Sequence, residues 1–326
     1  MQNILGIDVS KSKLDLILLS NERKFHKVID NDQNGFEKLE KWLNSHQVEQ
    51  AHVCMEATGQ YGEEVAEYLY ERDYLVSVVN PARIKRYGES KLHRNKTDKA
   101  DADLIAEFCL KEKPGNWEPL SPEKKHLRAL NRRLGALMAN LQQESNRLKS
   151  GERDSWVIDD LTHHIEFLKE RIQAIKKELR ELIKQTRSLK SQQDLLVTII
   201  GIGEKTANTL LAEISDFSAF DSAPQLAAYA GLNPQGHRSG SSVLKKTQVS
   251  KQGRAALRRC LYMPAMVALN HNPVIISLAE RMKKTNHHNM EILVAAMRKL
   301  LHLAYGVLKT QMPFDPNYGA QFDFSS

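Results

Sequence analysis

Ile4-Leu-Gly-Ile-Asp8-Val-Ser-Lys11 opens the chain with an apolar run that breaks on a carboxylate. A run this short reads as a β-strand, and Asp8 is then the residue it delivers to a sheet edge. Gly6, just before it, carries no side chain and permits close approach by another element. Working outward, residues 14–20 and 24–29 read as two further strands, which makes the opening a hairpin meander. Residues 51–55 and 75–79 are strand candidates too, and the patterning predicts helices near 33–45, 62–72 and 97–112. Gly35 and Gly59 punctuate the links, and Asn80-Pro81 stops the last strand. A meander followed by alternating helices and strands gives a mixed sheet covered by helices, an α/β unit over residues 1–118.

Two more acidic stretches belong with Asp8. Ala51-His-Val-Cys-Met-Glu56-Ala-Thr-Gly59 ends a strand on Glu56, and Asn95-Lys-Thr-Asp98-Lys-Ala-Asp101-Ala-Asp103-Leu-Ile-Ala-Glu107-Phe opens a helix. Asp98 and Asp101, three apart, face the same way on that helix, whereas Asp103 falls off their face. Asp8, Glu56, Asp98 and Asp101 thus offer hard oxygens from two strands and a helix, a donor set suited to Mg²⁺ and to phosphate substrates. Two such ions about 4 Å apart can clamp the attacking and leaving oxygens of a phosphodiester. Helix capping or plain solvation is the competing use of these acids.

Bulk properties suit a polyanionic partner. The 326-residue chain carries a formal charge of +7, with a pI near 9.1. The excess is local: Arg83, Lys85, Arg86, Lys91, Arg94 and Lys96 face one acid, Glu89, while Lys245, Lys246, Lys251, Arg254, Arg258 and Arg259 face none. Cys54, Cys109 and Cys260 lack any paired spacing, which points to core thiols rather than a disulfide or zinc scaffold. With no signal-peptide layout and no apolar run near 18 residues, a reducing cytoplasm is the expected compartment and no membrane partner is expected.

Beyond residue 118 the pattern becomes helical. Leu127, Leu130, Leu134, Leu137 and Leu141 recur at steps of three and four, and after Ser150-Gly-Glu-Arg-Asp154 the seam resumes from Ile158 to Leu182. This a/d seam with charged flanks predicts a coiled-coil hairpin over residues 119–190, which can also join protomers. Residues 191–326 read as a mostly helical domain with a loop around 233–250 and a poorly patterned tail. Within it, Ile199-Ile-Gly201-Ile-Gly203-Glu-Lys205-Thr206 reads as a helix-hairpin-helix turn whose glycines let backbone N–H groups reach a phosphate, or else as a tight corner between helices. The loop holds His237, Arg238, Ser239, Gly240, Ser241 and Ser242. Composition leaves open whether one of the serines is a nucleophile or the run is only flexible linker. Arg94, Lys96, Gly201, Gly203, Lys205, Thr206, Arg238, Lys245, Lys246, Lys251, Arg254 and Arg258 are the candidate contacts to nucleic acid.

Taken in order, Gly-Ile-Asp8, Met-Glu56-Ala-Thr-Gly, Asn-Lys-Thr-Asp98-x-x-Asp101-Ala, the helical seam, Ile-Gly-Ile-Gly-Glu-Lys-Thr, Ala-Gly-Leu-Asn-Pro, Ser239-Gly-Ser-Ser and Leu257-Arg-Arg-x-Leu-Tyr262-Met-Pro264-Ala resemble one family. They are similar to the DEDD transposases of bacterial insertion sequences, RuvC-like serine recombinases related to the Piv invertase and guided by a bridge RNA. The resemblance implies an RNase H-like domain in which Asp8, Glu56, Asp98 and Asp101 bind Mg²⁺. It implies that Ser239 attacks DNA to form a phosphoserine link. It also implies a dimer of dimers in which one protomer's serine completes another's metal site, and a structured non-coding RNA that pairs with target and donor DNA. The competing readings are a RuvC-like nuclease using water as nucleophile, an actin-like or sugar-kinase ATPase, and an architectural binder. The ATPase reading lacks its second Asp-x-Gly loop and its Gly-Gly adenosine motif.

Overall fold

The computed structural model describes residues 3–57, 59–90, 98–214, 216–217, 219–235, 238–239, 243–244, 248–249 and 253–317. Two compact units result, Met1–Pro119 and Leu120–Ser326.

The first unit is built on a five-stranded sheet. Strands β1 (Ile4–Val9), β2 (Lys13–Ser20) and β3 (Arg23–Asp30) form the antiparallel meander, while β4 (His52–Glu56) and β5 (Leu75–Val79) run parallel to β1, in the order β3-β2-β1-β4-β5. Period-two alternation sorts the side chains onto two faces. Leu5, Ile7, Leu14, Leu16, Leu18, Val53, Met55 and Val76 pack against α1 (Gln33–Ser45) and α2 (Glu63–Tyr70). On the other face Ile4, Ile17, Cys54 and Val79 pack with Ile84 of α3 (Pro81–Ser90) and with Ala102, Ile105, Ala106, Phe108 and Cys109 of α4 (Asp98–Glu112).

Five strands and three helices were expected within one or two residues of these bounds; α3 was not. Its basic composition hid a helix that starts with Pro81, where the missing N–H costs nothing, and with the Asn80 side chain accepting from the Ala82 N–H at 2.9 Å. Cys54, Cys109 and Cys260 are free, the first two buried between β4 and α4.

Gly6 explains how α4 reaches the sheet. A Cβ there would lie 2.4 Å from the Ala102 carbonyl oxygen, 2.5 Å from the Ala106 nitrogen and 2.7 Å from the Ala106 Cβ. The helix backbone therefore rests on the bare strand, with only two alanines between. Gly6→Ala is expected to destabilise the first unit by about 3 kcal/mol, because backbone rather than a flexible side chain must give way. A urea midpoint unchanged from the parent would refute this.

The second unit begins with two long helices, α5 (Pro122–Lys149) and α6 (Ser155–Gln185), packed as a hairpin. Leu127, Leu134 and Leu137 meet Leu168, Ile172, Ile175, Leu179 and Ile183. The same apolar cluster runs on through α7 (Arg187–Val197), α8 (Glu204–Glu213), α9 (Ala223–Ala230), α10 (Ala255–His271) and α12 (Asn289–Thr310), with α11 (Pro273–Lys284) between the last two. The stretch expected to stand as its own segment over 119–190 thus shares one core with the helices that follow. Between α9 and α10 the expected loop is a nested hairpin. Pro234–Gln235 (β6) pairs with Gln248–Val249 (β9), and inside that ladder Arg238–Ser239 (β7) pairs with Val243–Leu244 (β8). Phe314 of the carboxyl-terminal stretch packs on the core, its N–H donating to Thr198 Oγ1 at 2.8 Å. Among the described residues no helix is long and apolar enough to cross a membrane.

Candidate active site

Alternation places Asp8 on the α4 side of the sheet, with Gly6 and Ile4. Asp15 lies directly across from it in the β1–β2 register, and its side chain is buried. Glu56 follows Met55 as Asp8 follows Ile7, the last pair of the parallel β1–β4 register, and falls on the same face as Cys54. Because α4 lies on Gly6, its first turn brings Asp98 and Asp101 toward these strand ends.

The electrostatics record the crowding. Burial first, then the charges of Asp101, Asp98 and Asp15, push the Asp8 carboxyl up to about 6, with Lys13 pulling the other way. Lys13 is the local countercharge: its Nζ donates to Asp98 Oδ2 at 2.7 Å and lies 3.4 Å from Asp15 Oδ2. That bond holds Asp98 below the usual carboxylate range and raises the Lys13 ammonium. His26 Nε2 is 3.3 Å from Asp15 Oδ1, giving the buried Asp15 a second partner. Asp103 pairs with Lys24, away from Asp98 and Asp101, in keeping with its place off their helix face.

Lys13 and Asp15 had no part in the sequence reading. Their signal was available: two charged residues, Lys13 and Asp15, two apart at the start of the otherwise apolar Lys13–Leu19 run belong to a strand face that is not wholly core there.

As they stand, no three acidic, histidine or cysteine side chains among the described residues form a ready cage for an ion. Asp98, Asp101 and Asp15 act on Asp8, with Lys13 as the countercharge at Asp98, while Glu56 is placed with them only by its face of the sheet. In donor chemistry the set fits a hard divalent ion. Its oxygens are anionic, they come from the ends of β1, β4 and α4, and burial together with the charges of Asp101, Asp98 and Asp15 disfavours the ionised form of Asp8, a cost that a cation would relieve.

The other expected contacts separate. Gly201 takes φ +106°, and a Cβ there would lie 2.9 Å from the Pro264 carbonyl oxygen, so its bareness serves the packing of the turn on α10. Asn272, fully buried, fixes that turn by donating to the Ile200 carbonyl at 3.0 Å. Gly203 has open space around it and begins α8 without a side-chain cap; Lys205 is exposed, whereas Thr206 is buried and faces the core. Arg254 and Arg258, expected to meet nucleic acid, are engaged inside the protein. Arg254 Nη1 lies 3.4 Å from Oε2 of the buried Glu213, and Arg258 Nη1 donates to the carbonyls of Ala230 at 2.8 Å and Gly253 at 3.1 Å. Ser239 and Arg238 are placed by their backbone, in β7. Arg94, Lys96, His237, Ser241, Ser242, Lys245, Lys246 and Lys251 lie outside the described residues.

Comparison with known proteins gives the arrangement a lineage. Residues 5–151 match a family described as transposase, and residues 193–280 match the transposase IS116/IS110/IS902 family. A pilin gene-inverting protein of Moraxella bovis is 35% identical over 316 residues, covering 95% of this chain and 97% of that one. The transposase of insertion sequence element IS1328 from Yersinia enterocolitica is 24% identical over 76% of this chain and 80% of its own. T. thermophilus RuvC in complex with a Holliday junction substrate overlaps 36% of this chain and 99% of its own at 13% identity, with a TM-score of 0.27, too low to carry an argument. Two family matches in sequence order and identity sustained end to end place the chain in the IS116/IS110/IS902 family of transposases.

Proposed function

We propose that this transposase, an enzyme that cuts and rejoins DNA, does so through a covalent link to Ser239, assisted by Mg²⁺ held by Asp8, Glu56, Asp98 and Asp101. The carrying observation is the acid cluster at the α4 face, where burial and then the charges of Asp101, Asp98 and Asp15 push Asp8 up to about 6. The sheet order β3-β2-β1-β4-β5, with one long helix laid on β1, supports the RNase H-like reading of the first unit. Divalent ions bound there would neutralise charge on the scissile phosphate.

The chain's own groups would do the rest. The Ser239 Oγ forms a bond to phosphorus as the bond from phosphorus to one deoxyribose oxygen breaks; the hydroxyl loses its proton and the departing oxygen gains one. Reversal by a different strand end regenerates the serine and joins new partners without external energy. Gly203 and the uncapped start of α8, with Lys205 beside it, supply backbone N–H groups and a cation to hold a strand without reading its sequence.

Reading of sequence falls to a structured RNA pairing with target and donor DNA, and a dimer of dimers lets the serine of one protomer serve the acids of another. Both rest on the family resemblance, with the net charge of +7 in support. The test is to incubate the protein with guide RNA, target, donor and Mg²⁺, quench, digest, and locate the phosphodiester-linked peptide by mass spectrometry. A link on Ser239 supports the proposal. DNA cut with no protein attached would favour a nuclease that uses water.

A further inference from the structure

We infer that Arg258 is a positioning residue that clamps the two roots of the Ser239 hairpin, and that Arg254 fastens this clamp to α8. The inference rests on the reading of Ser239 as the nucleophile and adds what holds it in place. The hairpin leaves the body at Gly231, the left-handed cap of α9 at φ 71°, and returns at Gly253. A single guanidinium nitrogen of Arg258 joins the two legs, bonding the Ala230 carbonyl on one and the Gly253 carbonyl on the other. The Arg254 N–H adds a third tie, to the Tyr229 carbonyl at 3.1 Å.

The legs touch so closely that a Cβ on Gly253 would lie 2.4 Å from the Tyr229 oxygen and 2.6 Å from the Gly231 nitrogen. From this root Arg254 reaches the buried Glu213 at the end of α8 and lies over the Tyr229 ring, 5.4 Å from its centre. The Tyr229 hydroxyl donates to the Glu213 carbonyl at 3.4 Å. Glu213 lies ten residues beyond Gly203, so the hairpin root and the helix offered to the DNA strand are one piece. The two N–H bonds of that one nitrogen are fixed in the guanidinium plane, one for each carbonyl, whereas a lysine ammonium is a shorter point charge that rotates on its stem.

Arg258→Ala, Arg258→Lys and Gly253→Ala test the clamp in the full-length protein with guide RNA, target and donor. In Arg258→Ala, amide hydrogen exchange at Arg254 should quicken while α12 amides exchange as in the parent. The single-turnover rate of adduct formation should fall about 100-fold, because a displaced nucleophile loses its alignment, while the DNA Kd stays that of the parent. Guanidinium ion in the low millimolar range should restore the rate in Arg258→Ala and not in Gly253→Ala; Arg258→Lys should remain slow. Parent-like exchange and rate in Arg258→Ala would overturn the clamp. So would exchange quickened throughout the second unit with no rescue, since that marks general loosening. An adduct that persists in Ser239→Ala would overturn the nucleophile reading instead, leaving the exchange result to judge the clamp alone.

Discussion

Asp8→Asn is expected to slow strand cleavage steeply and to make the protein more stable. The carboxyl sits at about 6 because burial and three neighbouring acids disfavour its charged form. The displacement from the usual carboxylate value corresponds to about 3 kcal/mol if fully transmitted. The group is only half-buried, so solvent screening reduces this to about 1–2 kcal/mol. The sign follows from linkage: a carboxyl whose folded pKa lies above its unfolded value favours folding when protonated, and that benefit is lost as pH rises through about 6. Asparagine keeps the shape without the charge. Its advantage should therefore be full above pH 6 and vanish as the pH falls toward the ordinary carboxylate range. Thermal unfolding at neutral pH should show a gain of about 5 °C, shrinking toward zero in acid. Cleavage should fall by about 10³-fold, the scale for loss of one preorganised electrostatic contact to a transition state. A variant that is less stable at neutral pH, or that cuts as well as the parent, would show that Asp8 is an ordinary strand residue.

Such a trade of stability for chemistry explains why parts of this site were legible in the sequence and others were not. Asp8, Glu56, Asp98 and Asp101 stood out because each interrupts a local pattern: two end apolar strands, and two share a helix face. Alternation then suffices to put Asp8 and Glu56 on one side of the sheet, and Gly6 marks where the helix lands. Lys13 and Asp15 matter as much to the charge balance, yet their importance exists only across the β1–β2 register and against α4. A lysine in a strand of this kind reads as solvated until its partners are placed.

The internal partners of Arg254 and Arg258 were hidden for the same reason in reverse. Counting cations near residue 250 cannot distinguish a guanidinium open to phosphate from one already bonded to carbonyls at 230 and 253, because those carbonyls are brought together by the tertiary fold. The burial of Thr206 follows from helix phase. This residue shares the inner face of α8 with Ala207, Leu210 and Leu211, a pattern the sequence contained. The Ser239 hairpin was read as open loop because its paired stretches are only two residues long, below what alternation can reveal.

Ser239→Ala is expected to remove covalent DNA attachment entirely while leaving nucleic-acid binding and folding intact. The hydroxyl is the one group whose loss eliminates the bond-forming atom, so residual adduct should be undetectable rather than merely reduced. The stability cost should be within about 0.5 kcal/mol, the scale of a substitution that leaves backbone pairing in place. The β7–β8 pairing that carries residue 239 uses backbone groups, which alanine keeps. Recombination of marked target and donor DNA should vanish with the adduct, because rejoining draws on the same phosphoester bond. Electrophoretic shift of the RNA–DNA assembly should match the parent at equal salt, a condition that must be held fixed for polyanion binding. Ser241→Ala and Ser242→Ala are the matched controls and should retain the adduct. If either of them abolishes it while Ser239→Ala does not, the nucleophile lies further along the turn. If all three variants still cut DNA with no protein attached, the acid cluster works with water, and the enzyme is a nuclease that leaves rejoining to another partner.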